Sequence, residues 1–176
     1  MGKEFTKVKV IGDEEATGPA VEVFGNFQEK LGKVPNWARV MANRPEILAG
    51  FAKLLSGIMG PGLVEEDNKW KVAYKVSEIN KCTYCVGVAK GMLTKLGAEE
   101  EDIKNVSENV ENMNDDEKIA IKYAEAVTKD AVNIPDDIFE ELKKHYDDAQ
   151  IVELTSAIGL FNYINRFNDA LGVMPE

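Results

Sequence analysis

The chain of 176 residues carries 21 basic and 31 acidic side chains, a formal charge of −10, with a sequence pI near 4.7. Such a surface repels nucleic acid and anionic membranes, both of which need basic patches for affinity, so neither is expected as a partner. With 44% hydrophobic and 30% charged residues the chain can build one substantial core, and no run approaches the ~18 unbroken apolar residues of a membrane span.

The first fifteen residues, MGKEFTKVKVIGDEE, lack the apolar run of a signal peptide, so a cytoplasmic location is expected. Residues 1–17 read as an extended N-terminal arm, and residues 18–176 as a single all-helical domain. Gly18-Pro19 opens a helix with Val23, Phe24, Phe27 and Leu31 on one side, and Gly32 closes it. A short helix over Asn36–Ala42 follows Pro35. The break Asn43-Arg44-Pro45 leads into a helix striped by Ile47, Leu48, Phe51, Leu54, Leu55 and Ile58, which Gly60-Pro61-Gly62 stops. Trp37 and Phe51 read as core.

A long helix runs from Glu65 to Ile79, and Asn80-Lys81 makes a tight corner into a second one closed by Gly97. A shorter helix covers Glu99–Asn109. Asn114 and Glu117 stand at capping-box spacing before a helix carrying Ile119, Tyr123 and Val127. Pro135 opens another, with His145 in its last turn as a cap or surface residue. Asp147 caps the last and longest helix, which has one apolar side in Ile151, Leu154, Ile158 and Phe161. Val152, Tyr163 and Phe167 give it a second. A helix apolar on two sides is central or shared with another subunit, so a homo-oligomer is expected. No segment from Pro19 onward alternates like a strand. The fold class is therefore all-α, with about eight helices.

The only two cysteines, Cys82 and Cys85, form a C-x-x-C pair at the start of the Cys-bearing helix. One helical turn brings two such sulfurs within bridging reach, and the helix N-terminus offers free N–H groups and positive potential that favour a thiolate. A zinc centre needs about four ligands. The single histidine lies far along the chain and no second cysteine pair exists, so neither a metal nor a cofactor is expected. Thiol redox chemistry is the leading reading. Two carboxylates are further candidates. Glu78 lies one helical turn before Cys82, where a solvent-facing role competes with a catalytic one. Glu153 sits in an apolar stretch, where a buried ion pair, for instance with Arg166, competes with a place facing the cysteines.

The segment Val76-Ser77-Glu78-Ile79-Asn80-Lys81-Cys82-Thr83-Tyr84-Cys85 resembles the carboxymuconolactone decarboxylase-like superfamily, and within it the AhpD-type alkylhydroperoxidases and their peroxidase-related branch. Ile151–Thr155, Phe161–Arg166 and Gly32–Asn36 support the resemblance. It implies an AhpD-like helical fold assembled as dimers, trimers or hexamers. It also implies a small-molecule hydroperoxide or disulfide substrate, with Cys85 attacking, Cys82 resolving, and a thiol reductant partner reopening the disulfide. Peroxidase-competent members carry a histidine four residues after the second cysteine and a glutamate twelve before the first. Those positions hold Ala89 and Trp70, neither of which is a base at neutral pH. A weak thiol oxidoreductase is the reading that follows. A degenerate, non-enzymatic helical oligomer and a cofactor-free decarboxylase or lactone-processing enzyme are the alternatives.

Overall fold

The computed structural model describes residues 6–175. Among them are nine α-helices and no strand: α1 (Ala20–Leu31), α2 (Asn36–Met41), α3 (Pro45–Met59), α4 (Glu66–Ile79), α5 (Thr83–Lys95), α6 (Glu100–Glu108), α7 (Asp115–Asp130), α8 (Asp136–His145) and α9 (Asp148–Leu171). The all-α reading holds, and its punctuation is visible in the backbone. Gly32 ends α1 in the left-handed region at φ 70°, a conformation that costs glycine little. Asp147 and Gln150 open α9 reciprocally, each backbone N–H donating to the other's side chain at 3.0 and 2.9 Å. No helix among the described residues is long and apolar enough to cross a membrane.

The expected capping box at Asn114 does not close. α7 begins at Asp115, but Asn114 makes no side-chain cap bond. Glu117 instead accepts from the Lys71 ammonium of α4 at 2.5 Å, and Asp67 accepts from the same ammonium at 2.9 Å. Burial pushes the Lys71 ammonium down, yet these two carboxylates outweigh it and hold its pKa above the usual lysine value.

The chain forms two compact units, one of residues 1–57 with 167–176, the other Ile58–Arg166, and both α3 and α9 contribute to each. In the first, Trp37 takes edge-on contacts from Phe27 at 5.4 Å and Phe51 at 5.2 Å. Arg39 stacks over Phe24 and pairs with Asp13 at 2.7 Å. Residues 1–5 of the expected arm lie outside the described ones, and Asp13–Glu15 within it form a short 3-10 helix. The arm's Lys7 and Ile11 amides donate to the Leu171 and Arg39 carbonyls of the same unit.

The second unit is organised around α4, in which Val72, Ala73, Val76 and Ser77 are wholly buried. Its neighbours include α5, α6 and α7. α9 runs beside it in the same direction. Trp70 meets Phe161 edge-on at 5.7 Å, and one to two turns further on Asn165 donates to Ser77. Leu93, Ile121, Leu142, Leu154 and Ile158 complete a core closed to solvent.

Candidate functional site: the cysteine turn

The corner between α4 and α5 is a Schellman turn. The Lys81 N–H donates to the Glu78 carbonyl at 2.9 Å and the Cys82 N–H donates to the Ser77 carbonyl at 3.0 Å, which satisfies the last carbonyls of α4. Lys81 occupies the left-handed position at φ 61°, the only non-glycine residue to do so among those described. A side chain there costs roughly 1–2 kcal/mol, so the surroundings must hold the turn. Cys82 closes this turn and is at the same time the N-cap of α5, with Cys85 in the first turn of that helix. The positive end of α5 thus lies where the sequence placed it relative to the pair. Both cysteines are buried, Cys82 at 0% and Cys85 at 3% exposure.

The turn is tied to α9 by amides. Asn80 Nδ2 donates to Asn162 Oδ1 at 3.0 Å and to Asn165 Oδ1 at 2.9 Å. Asn165 Nδ2 donates to Ser77 Oγ at 3.1 Å, and the Ser77 hydroxyl donates to the Ala73 carbonyl at 2.7 Å. Arg166 Nη1 adds a charged donor to Asn162 Oδ1 at 2.7 Å. None of these asparagines stood out as a candidate in the sequence. The available signal was a pair of amides three apart, Asn162 and Asn165, inside an otherwise apolar stretch of helix.

Glu78 is half-buried in the last turn of α4 and accepts a short hydrogen bond from the Ser107 hydroxyl of α6. The Tyr74 hydroxyl oxygen lies 3.3 Å from the same Ser107 Oγ. Tyr74 and Ser107 line an open cavity of about 510 Å³, with Lys90, Lys104 and Glu100 among its other walls.

Glu153 pairs not with Arg166 but with Lys69, a lysine with no solvent exposure, at 2.6 Å. Arg166 sits one turn past Asn162 and spends its guanidinium there. The Lys69 ammonium also donates to the Ile58 and Gly60 carbonyls at 2.9 and 2.5 Å. The other Glu153 oxygen accepts from the Leu63 N–H at 2.8 Å. Burial pushes the Glu153 carboxyl up, but the Lys69 ammonium and the Leu63 and Val64 amides outweigh it and hold it below the usual carboxylate value. Glu153 and Lys69 together clamp the loop 60–64.

Of the two positions noted for a proton relay, Ala89 is fully buried. Trp70 is buried against Phe161, and its indole N–H has no hydrogen-bond partner. His145 ends α8 as expected, its Nε2 3.5 Å from Glu141. Among the described residues no group of three His, Cys, Asp or Glu side chains is placed to hold a metal.

No family model matches the chain. It is 27% identical to the uncharacterized protein YdfG of Bacillus subtilis over 104 residues, 57% of this chain and 71% of that protein. It is 26% identical to the uncharacterized protein YnjA of Escherichia coli over 107 residues, 60% of this chain and 59% of that one. Among solved structures, a peroxidase-related protein from Silicibacter sp. TM1040 superposes with a TM-score of 0.87 at 25% identity, covering 99% of this chain and 93% of that one. A peroxidase-related protein from Ralstonia eutropha JMP134, described as an alkylhydroperoxidase AhpD core, gives 0.89 at 20% identity over 99% and 94%. The debrominase Bmp8 gives 0.83 at 21% identity over 99% and 93%. The chain therefore has the AhpD-like, all-helical fold of the peroxidase-related, carboxymuconolactone decarboxylase-like proteins.

Proposed function

We propose that the chain is a thiol-dependent oxidoreductase that cycles Cys82 and Cys85 between dithiol and disulfide, and that it is a weak peroxidase. The observation that carries this reading is the cysteine turn, which sets a C-x-x-C pair on the N-terminus of α5. There the helix dipole and first-turn N–H groups favour a thiolate. Both cysteines are buried, and the resemblance to the alkylhydroperoxidases supports Cys85 as the sulfur that meets substrate. Its thiolate attacks a terminal peroxide oxygen, forming an S–O bond as the O–O bond breaks. Sulfur is oxidised to the sulfenic acid, and the departing alkoxide takes up a proton. The Cys82 thiolate then attacks the sulfenic sulfur, forming the S–S bond and releasing hydroxide, which leaves as water once protonated. An external dithiol returns two electrons and two protons and is itself oxidised.

The departing alkoxide needs an acid. With Ala89 and Trp70 at the relay positions, Glu78 is the carboxylate we assign to the role. It is half-buried one turn before Cys82 and connects through Ser107 to the open cavity. Both oxygens of Glu153 are engaged by Lys69 and the loop amides, which favours Glu78 over it. The loss of the histidine and glutamate removes help worth roughly 10²- to 10⁴-fold. Single-turnover peroxide consumption by the reduced protein tests the reading. Consumption above that of Cys85→Ala is expected. Rates indistinguishable from that variant would favour the alternative, a non-enzymatic helical oligomer, which Ala89 and Trp70 also suit. The debrominase Bmp8 shares the fold, so a brominated pyrrole such as the 2,3,4-tribromopyrrole bound to its cysteine-to-alanine variant belongs in the substrate panel.

We also propose self-association. Val152 and Tyr163 stand 65% and 47% exposed on α9, an apolar face that a second copy would cover. Light scattering that reports a single 19.5 kDa chain at micromolar concentration would overturn this.

A further inference from the structure

Asn165 is wholly buried, and its side chain bonds two residues of the cysteine turn, Ser77 and Asn80. Its carbonyl oxygen accepts from Asn80, the C-cap of α4. Its NH₂ group donates to Ser77, whose backbone carbonyl receives the Cys82 N–H. Directly after Asn80 comes the left-handed Lys81, which would relax toward a lower-energy backbone if the turn were released. Relaxation there would carry Cys82 with it, because Cys82 closes the turn and caps α5 at once.

We propose that Asn165 is a positioning residue for the redox pair: by pinning Ser77 and Asn80 it fixes Cys82 relative to Cys85 and so sets how readily the two thiols close into a disulfide. This rests on the redox reading above. Disulfide geometry tolerates little error, with α-carbons about 4.4–6.8 Å apart and a preferred dihedral, so a preorganised turn raises the effective concentration of one thiol at the other. Releasing the turn should leave the pair easier to reduce. Ser77 and Asn165 act through one hydrogen bond, so their effects on the pair should not add.

The test is the equilibrium between the Cys82–Cys85 disulfide and dithiothreitol. In this exchange the two electrons and two protons of the reagent pass to the protein sulfurs as the reagent closes its own ring. It needs no peroxide, so it stays informative if the peroxidase reading fails. A pair that hydroperoxide does not oxidise would count against that reading alone. Asn165→Leu keeps the side chain's bulk while removing both hydrogen bonds, and Ser77→Ala removes one of them with little change of volume. We expect each to shift the equilibrium at least tenfold toward the dithiol, about 30 mV for a two-electron couple, with the double variant no further than the larger single. If Asn165→Leu fails to fold, Ser77→Ala alone decides. A lowered melting temperature with an unchanged dithiothreitol equilibrium would overturn the proposal, leaving Asn165 a purely structural amide. Additive shifts in the double variant would overturn it equally.

Discussion

Replacing Gly62 by alanine adds one methyl group to a loop and should destabilise the fold about as much as many core truncations do. A β-carbon built there falls 2.7 Å from the Glu153 carboxyl carbon and 2.8 Å from Oε2, and closer still to Oε1. Gly62 is not among the positive-φ residues, so alanine meets no backbone penalty. Reduced freedom of the unfolded chain would by itself add about 0.4–1 kcal/mol of stability. The clash is therefore the only cost, and the carboxylate cannot swing aside cheaply. It neutralises the buried Lys69 ammonium at 2.6 Å and accepts from the Leu63 amide. Stranding one member of such a pair costs about 3–5 kcal/mol, so the net loss should be about 2–4 kcal/mol once the entropic gain is subtracted. Urea unfolding followed by circular dichroism measures it, with the wild type, Gly62→Ala, Glu153→Ala and the double variant forming a cycle. In the Glu153→Ala background the methyl has no carboxylate to strike, and Gly62→Ala should be neutral or slightly stabilising. A loss under about 1 kcal/mol in the wild-type background, or the full loss persisting without Glu153, would refute the reasoning.

The same clamp predicts an acid dependence. The Glu153 carboxyl lies below its usual value of 4.5 when folded, so its contribution is complete above that pH and is lost as pH falls through the lowered folded value. Urea midpoints of Glu153→Gln measured from neutrality into acid should fall less steeply than those of the wild type. Tyr146 accepts from Asn68 at 2.6 Å and donates to the Asp116 carbonyl at 2.9 Å, and the Asn68 Oδ1 already has no partner. Tyr146→Phe should therefore cost about 1–3 kcal/mol, recovered in part by Asn68→Leu in a double variant. Burial pushes the Tyr146 hydroxyl from 10 up to about 12. Its contribution should hold below pH 10 and fade as pH rises toward 12, visible as a late phenolate in a spectrophotometric titration.

The helices were legible because their punctuation is local. Gly32, the Asp147–Gln150 pair and the corner at Asn80-Lys81 each act within a few residues of themselves. What stayed hidden depends on partners far along the chain. Lys69 reads as a solvated lysine until Glu153, 84 residues on, is seen beside it. Glu117 stands at capping spacing, but the Lys71 ammonium of α4, 46 residues earlier in the chain, competes better for its charge than a backbone amide does. Glu153 was recognised as a carboxylate in apolar surroundings, though Arg166 was the wrong partner to expect. The residues i, i+13 along a helix are nearly 20 Å apart by rise alone. The cysteine pair was legible from spacing. The amides behind it were not, since asparagine in a helix reads equally as surface.

The two arms of the redox reading make different demands on this site, and its missing groups distinguish them. Attack on a hydroperoxide expels an alkoxide or hydroxide, whose conjugate acid, an alcohol or water, is far weaker than any thiol. Attack on a disulfide expels a thiolate, with a conjugate acid near 8.5, which leaves at neutral pH with little help. On the proposed reading, Ala89 and Trp70 leave the first reaction only the acid that Glu78 supplies and cost the second almost nothing. The chain should therefore exchange with a small disulfide at a rate close to that expected for its thiolate fraction, while lagging on peroxide. Trp70→Glu with Ala89→His should accelerate peroxide consumption by up to roughly 10²-fold and leave disulfide exchange nearly unchanged. Ala89 is fully buried and Trp70 packs on Phe161, so the imidazole overpacks its site by about 1–3 kcal/mol. Rates must for that reason be compared in samples shown to be folded by circular dichroism. Equal acceleration of both reactions would mean that the substitutions act on the thiolate itself. Glu78→Gln should slow peroxide alone, and peroxide rates in the unaltered protein matching the rebuilt variant's would mean that Glu78 already serves as well as the rebuilt relay.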